Sequence, residues 1–247
     1  MKKNNLNLIV VLVEPKGPIN VGSIARLCSN FDVKELRIVS PKCDIFSLEA
    51  KKMALKGQRY IDNCKKFNSI EQALFDCDLV LATCGRIDLS NDIECDSPEV
   101  ISKWISSFKE INNLAILFGR EDRGLTNSEL FFAHKIFNIK TSQNYPSLNL
   151  SHAVSIILYE LSKCSINNRK KDITVFNLAS SKQMHESFKD LEKLLLRTGY
   201  LLEHTSFSKI NKFKKFALKA KISSHDINVL RGIIHQINWY LNNTKDK

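Results

Sequence analysis

The sequence predicts an α/β domain built on a parallel sheet, followed by a small, basic, all-helical domain. Three observations predict it. Between residues 6 and 139, five short apolar runs alternate with stretches of helical periodicity, the order that gives parallel strands with helices on both faces. Beyond residue 171 only helical periodicity remains. The charge is also segregated: residues 1–162 carry 20 Lys+Arg against 19 Asp+Glu, whereas residues 163–247 carry 17 against 7. The boundaries read from these patterns are 1–164 for the α/β domain, 165–171 for a linker and 172–247 for the basic helical domain.

The elements follow in order. Leu6–Val13 (LNLIVVLV) reads as a central strand, and Pro15, Gly17 and Pro18 as a rigid turn. Gly22–Phe31 reads as a helix with Ile24, Leu27, Cys28 and Phe31 inward. Leu36–Val39 is a second strand, Ser47–Lys56 a helix, and Ser69–Phe75 a short helix capped by Ser69. Leu79–Thr83 is a third strand, Asn91–Asp96 an exposed loop, and Pro98–Phe108 a helix opened by proline. Leu114–Phe118 and Lys135–Ile139 are the remaining strands. Leu148–Cys164 is a long helix with Ala153, Ile156, Ile157 and Leu161 on one face. In the tail, helices are expected over Lys182–Arg197, Ser208–Ala220 and Ser223–Asn242. The last places Ile227, Leu230, Ile234, Ile237 and Leu241 on one stripe.

Composition excludes several classes. The chain has 247 residues, 43% of them hydrophobic, enough for one large domain with an appendage. No uncharged apolar run reaches the roughly 18 residues of a membrane span. The N-terminal apolar stretch lacks a small-residue cleavage site and reads as a strand, so a cytoplasmic protein is expected. Seven scattered cysteines without a C-x-x-C pair, and six dispersed histidines, predict reduced thiols and no metal site. The net charge of +11, held almost wholly by the tail, predicts a polyanionic partner.

Ile116–Leu130 (ILFGREDRGLTNSEL) is the most informative stretch. A buried strand breaks at Gly119 into Arg120, Glu121, Asp122 and Arg123, breaks again at Gly124, and re-enters a helix near Asn127 through a Thr126–Glu129 capping box. A charged loop at the carboxyl end of a parallel strand lies where open α/β sheets bind ligands. Neither G-x-G-x-x-G nor G-K-[ST] follows the first strand, so no dinucleotide or P-loop chemistry is indicated.

Two further stretches accompany it: Asn20-Val21-Gly22-Ser23-Ile24-Ala25-Arg26 after the first strand, and Ser147-Leu148-Asn149-Leu150-Ser151 opening the last helix of the domain. Together, N-x-G-x-x-x-R, F-G-R-E-x-x-G-L and S-L-N-x-S resemble, in order, the three motifs of the SpoU (TrmH-like) branch of the SPOUT RNA methyltransferases. The tail segments LEKLLLRTGYL and SSHDINVLRGIIHQI resemble the C-terminal domain of TrmJ-like tRNA methyltransferases. The resemblance spans essentially the whole chain.

That resemblance implies a deep C-terminal trefoil knot in the α/β domain, otherwise too rare to expect. It implies methyl transfer from S-adenosylmethionine to a ribose 2′-hydroxyl of tRNA, on cytidine or uridine at position 32, the 5′ edge of the anticodon loop. It also implies a homodimer paired through the knot region. The alternatives are a TrmH-like enzyme acting on another tRNA position or on rRNA, and a non-catalytic knotted RNA-binding protein.

Carried over residue by residue, the cofactor loops are Thr83-Cys84-Gly85, Gly119 with Arg120, and Ile139 through Ser147, Leu148 and Asn149. Cys84-Gly85 departs from the Ser-Ala common in the family, a change that backbone contacts tolerate. Arg26 faces the nucleophile. Because arginine stays protonated, its expected role is to clamp phosphate and stabilise a developing alkoxide rather than to act as a base. Asn20, Glu121, Ser147 and Asn149 complete the catalytic set, with Glu121 orienting Arg120 or Asn20. RNA contacts are expected from Arg26, Arg123, Lys209, Lys212, Lys214, Lys215, Lys219 and Lys221. Phe213, Phe216 and Leu218 are expected to anchor the helix carrying these lysines rather than to stack on bases.

Overall fold

A computed structural model describes residues 6–85, 95–105, 108, 111–142, 144–145, 147–167, 179–220 and 222–243, with backbone alone at 164–167, 181, 215, 218 and 219. The chain divides into two compact units, Met1–Val175 and Phe176–Lys247.

The first unit contains β1 (Asn7–Val13), α1 (Pro18–Asn30), β2 (Glu35–Val39), α2 (Leu48–Ala54), α3 (Gln58–Asp62), β3 (Lys65–Phe67), α4 (Ile70–Ala73) and β4 (Leu79–Thr83). It continues with α5 (Pro98–Ile105), β5 (Asn113–Phe118), α6 (Asn127–Leu130), β6 (Lys135–Phe137) and α7 (Leu150–Asn167). The strands form one all-parallel sheet in the order β3-β2-β1-β5-β4-β6. Ile9–Val13 and Leu114–Phe118 are buried throughout, as expected for central strands covered on both faces. β3 was not predicted: three residues with two exposed lysines carry no apolar signal, and the strand exists through its pairing with β2.

This order positions the site. From β1 the chain winds outward through β2 and β3 on one side, whereas β5, β4 and β6 lie on the other. The direction of winding reverses between β1 and β5, and the crevice beyond their carboxyl ends is where ligands bind in such sheets. The turn after β1 (Glu14–Gly17) and the loop after β5 (Gly119–Gly124) meet there.

Several boundaries move for local reasons. α1 starts at Pro18 rather than Gly22, because proline at the first helical position is preset for the helix and has no N–H to leave unpaired. Gly22 therefore lies inside α1, and its role is packing. A Cβ there would come within 2.2 Å of the Ala50 carbonyl oxygen on α2. α7 begins at Leu150, with Asn149 as its cap: the Asn149 Oδ1 accepts from the Ser151 backbone N–H at 2.8 Å. α7 also runs on to Asn167, into the stretch expected to be linker. Its buried stripe is Leu150, Val154, Ile157 and Leu158, whereas Ile156 is exposed, so the inward face is rotated from the one the sequence suggested.

The second unit contains α8 (Ser181–Arg197), α9 (Glu203–Lys219) and α10 (Ser224–Asn243). Met184, Phe188, Ala217 and Ile227 form its small core, with Ala179 and partly buried Leu191 and Ile222. A capping box of Ser180 and Gln183 opens α8. One expectation fails here. Phe216 is 72% exposed and Phe213 39%, so these two rings do not anchor α9, which packs through Ser206, Ile210 and Ala217; the Leu218 side chain lies outside the described residues.

The packing role of Gly22 is testable. Gly22→Ala should lower the stability of the first unit by about 3 kcal/mol, because backbone lies in the way and α1 must shift off α2. That corresponds to a fall of roughly 6–12 °C in its thermal midpoint, read by calorimetry.

Candidate active site

The crevice between β1 and β5 is organised by two adjacent residues with opposite partners. Arg120 turns inward, its side chain only 6% exposed. Its Nε donates to Glu14 at 2.7 Å, and its Nη1 and Nη2 donate to the two Glu129 oxygens at 2.9 Å each. Glu129 is also the carboxylate of the α6 capping box, accepting from the Thr126 N–H at 2.7 Å. One arginine thus ties the end of β1 to the start of α6. The loop it closes is tight: Arg120 and Gly124 exchange both backbone hydrogen bonds, with Gly124 at φ +64°. A Cβ on Gly119 would lie 2.1 Å from the Gly124 carbonyl carbon, so glycine is required there by the loop itself.

Glu121 turns the other way, into the β1–α1 turn. Its carboxylate accepts from the backbone N–H groups of Lys16 (3.0 Å) and Gly17 (3.0 Å) and from Asn20 Nδ2 (3.1 Å). Gly17 has no side chain to cap α1. Glu121 supplies the acceptor from a distant part of the chain, with its negative charge at the positive end of the helix. Asn20 passes the interaction on: its Oδ1 accepts from Asn149 Nδ2 at 3.0 Å, and Asn149 Oδ1 holds Ser151 Oγ at 2.7 Å. The three sequence motifs thus meet in one relay, Glu121–Asn20–Asn149–Ser151. Of the two partners expected for Glu121, the structure shows Asn20.

The electrostatics suit permanently ionised groups. Burial pushes the Glu121 carboxyl up, but the bonds from Asn20, Lys16 and Gly17 outweigh it and hold it below its ordinary value of 4.5. The hydrogen bond from Arg120 holds Glu14 down as well. In Glu129, burial is again overcome by Arg120 and the Thr126 N–H. The Glu14 backbone has φ +46°, unusual for a residue with a side chain, and this directs its carboxylate at Arg120. Sequence reasoning missed Glu14 and the second use of Glu129. The Glu14-Pro15 pair ending β1 was the available signal.

Beside this crevice, the ends of β4, β5 and β6 converge. Thr83 Oγ1 donates to the Leu117 carbonyl, and Asn138 Nδ2 to the Cys84 carbonyl at 2.8 Å. Cys84 is buried, and a Cβ at Gly85 would meet no described residue within 4 Å. Small residues and backbone groups on adjacent strand ends fit a cofactor held chiefly through the main chain. Ser147 and Asn149 are exposed, and Ile139 and Leu148 half-buried.

Other expected residues stand apart. Arg26 is exposed on α1, six residues or about 9 Å of helix beyond Asn20, with no hydrogen-bond or ion-pair partner among the described residues. Arg123 is half exposed, 3.7 Å from Glu14. Lys209 and Lys212 are exposed and Lys214 half-buried on α9; the side chains of Lys215 and Lys219, and Lys221 entirely, lie outside the described residues. Among the described residues no group of three His, Cys, Asp or Glu is placed to hold a metal ion. No helix among them is long and apolar enough to cross a membrane.

This chain matches the profile of the SpoU rRNA Methylase family over residues 7–159. A relative from Methanocaldococcus jannaschii, named tRNA (cytidine-2'-O-)-methyltransferase TrmJ, is 39% identical over 190 residues, covering 76% of this chain and 77% of its own. A relative from Sodalis glossinidius, named tRNA (cytidine/uridine-2'-O-)-methyltransferase TrmJ, is 30% identical over 238 residues, covering 94% and 91%. The crystal structure of TrmJ from Z. mobilis ZM4 superposes with a TM-score of 0.79 at 25% identity, covering 93% of this chain and 98% of that one.

The depressed carboxylate makes a signed prediction. Because the folded Glu121 titrates below its ordinary value of 4.5, its contribution is complete above that pH and is lost as pH falls through the lowered value. Glu121→Gln should cost about 1–2 kcal/mol at neutral pH. The gap to wild type should close in acid, read as urea midpoints between about pH 7 and pH 3. A gap independent of pH would contradict the assignment.

Proposed function

We propose that this chain, which belongs to the SpoU rRNA Methylase family, methylates a ribose 2′-hydroxyl of tRNA with S-adenosylmethionine, at a pyrimidine on the 5′ edge of the anticodon loop. The carrying observation is the relay that brings Asn20, Glu121 and Asn149 together at the reversal of the sheet. Relatives named as tRNA 2'-O-methyltransferases, matched over most of both chains, support the substrate class. The reading places the protein in the cytoplasm, with tRNA.

The backbone of Thr83–Gly85, Gly119–Arg120 and Ile139, with Ser147–Asn149, would hold the cofactor. When bound it supplies an electrophilic methyl group. The chain's own residues prepare the nucleophile. A ribose hydroxyl is a poor nucleophile at neutral pH, so oxygen must gain negative charge as its proton departs to phosphate or water. Arg26, permanently cationic, stabilises that charge and holds the adjacent phosphate. Glu121 fixes Asn20, and Asn20 fixes the Asn149 amide, so the polar groups facing the ribose need not reorganise.

Arg26 has no hydrogen-bond or ion-pair partner among the described residues, which supports a site completed by a second copy. Ile19 on α1, Val100 on α5, and Ile156 and Tyr159 on α7 are exposed apolar side chains suited to that contact. We also propose that the chain near Tyr145–Ser151 passes through the loop formed around Thr83–Arg123; Pro146 and residues 86–94, 106–107 and 109–110 of these stretches lie outside the described residues.

Labelled cofactor and bulk tRNA, followed by mapping of the modified nucleotide, should reveal one 2′-O-methylated pyrimidine at the 5′ edge of the anticodon loop. Arg26→Ala should leave cofactor affinity nearly intact and remove most transfer, and Asn149→Ala should weaken both. Mixing and reassociating these two variants should restore about a quarter of wild-type activity, because half the dimers are mixed and each has one intact site. No recovery would argue for a site complete within one chain.

A further inference from the structure

One face of α9 combines exposed rings with exposed cations. Lys209 and Phe213, like Lys212 and Phe216, are four residues apart, and Lys209/Lys212 and Phe213/Phe216 are three apart, which places all four on one side of the helix. All four are exposed, Phe216 more than Phe213, and they leave the buried Ser206, Ile210 and Ala217 to the neighbouring face. Tyr200, just before α9, extends their stripe. Lys209 Nζ sits 5.3 Å from the Tyr200 ring centroid, and that ring is itself exposed. The stripe covers about 10 Å of helix, the span of two or three stacked nucleotides.

Large exposed rings carry a cost in water and need a reason. The neighbouring charge supplies one. α9 carries five lysines and one glutamate, and the unit Phe176–Lys247 carries 13 Lys+Arg against 6 Asp+Glu. Lysines interleaved with flat rings form the surface that single-stranded nucleic acid uses, phosphates on the cations and bases on the ring faces. α10 offers a contrast in charge: it also exposes apolar side chains, Val229, Ile233, Ile237, Trp239 and Tyr240, but contains no lysine.

We propose that Tyr200, Lys209, Lys212, Phe213 and Phe216 form a binding site for a short run of unpaired nucleotides, with the rings stacking on bases and the lysines contacting phosphates. This deepens the tRNA reading above. On that reading the second unit holds a loop whose bases are already unstacked, in addition to attracting the polyanion.

The test uses the full chain, with bulk tRNA, a short single-stranded oligoribonucleotide and a blunt RNA duplex as probes. Phe216 is exposed, so Phe216→Ala should not disturb folding. It should weaken tRNA and oligoribonucleotide binding by roughly 5- to 150-fold, leaving the salt slope and duplex binding unchanged. Lys209→Ala should instead lower the log–log salt slope by roughly 0.7. Phe216→Trp should retain affinity, with its added fluorescence quenched by the oligoribonucleotide. Unchanged tRNA affinity in Phe216→Ala would overturn the proposal, and a simultaneous drop in oligomer mass would make the face a contact between copies. If the wild-type chain methylates tRNA while Phe216→Ala binds normally, only this inference fails. If the stacking signature appears without any methyl transfer, the enzymatic reading fails and this one stands.

Discussion

The Glu121 carboxylate is the constraint on which the site depends. It stands at the amino-terminal end of α1 and accepts two backbone N–H groups and the Asn20 amide. α1 begins with a glycine and a proline that provide no side-chain cap of their own. An acceptor borrowed from a loop more than a hundred residues away therefore fixes the helix end and couples the loops after β1 and β5. A charged acceptor with several donors is stronger than neutral pairs in the same place. It remains charged because those donors oppose the cost of burial. Asn20 then delivers this order to Asn149 at the cap of α7.

Arg120 and Glu121 show how adjacent charged residues divide the tasks of scaffold and site. Arg120 is buried, bidentate to Glu129 and bonded to Glu14. Its side chain is committed to closing the loop. A guanidinium suits that geometry better than an ammonium would, because its planar fork satisfies two carboxylates at once.

Much of the α/β unit was legible in the sequence because buried parallel strands are uninterrupted apolar runs. Leu114–Phe118 and the Thr126–Glu129 box appear in the structure where the sequence placed them. β3 was not legible, because pairing rather than composition makes Lys65–Phe67 a strand. The three motifs were legible as segments, but their joining was not: the Asn20–Asn149 contact spans 129 residues and no local pattern encodes it. Gly119 read as a glycine suited to a ligand, yet backbone at Gly124 is what excludes a Cβ. Phe213 and Phe216 misled for a related reason. Periodicity shows which residues share a helix face, but with so small a core it does not show which face is covered.

The three motifs meet as one unit through Asn20. A double-mutant cycle on kcat/KM for methyl transfer to tRNA, using Glu121→Gln and Asn149→Ala, tests it most directly. The two side chains share only Asn20. Each single change should cost activity, and the pair should cost less than the sum, with a coupling of about 1 kcal/mol or more. Losses that add to within about 0.3–0.5 kcal/mol would show independent sites and contradict the account.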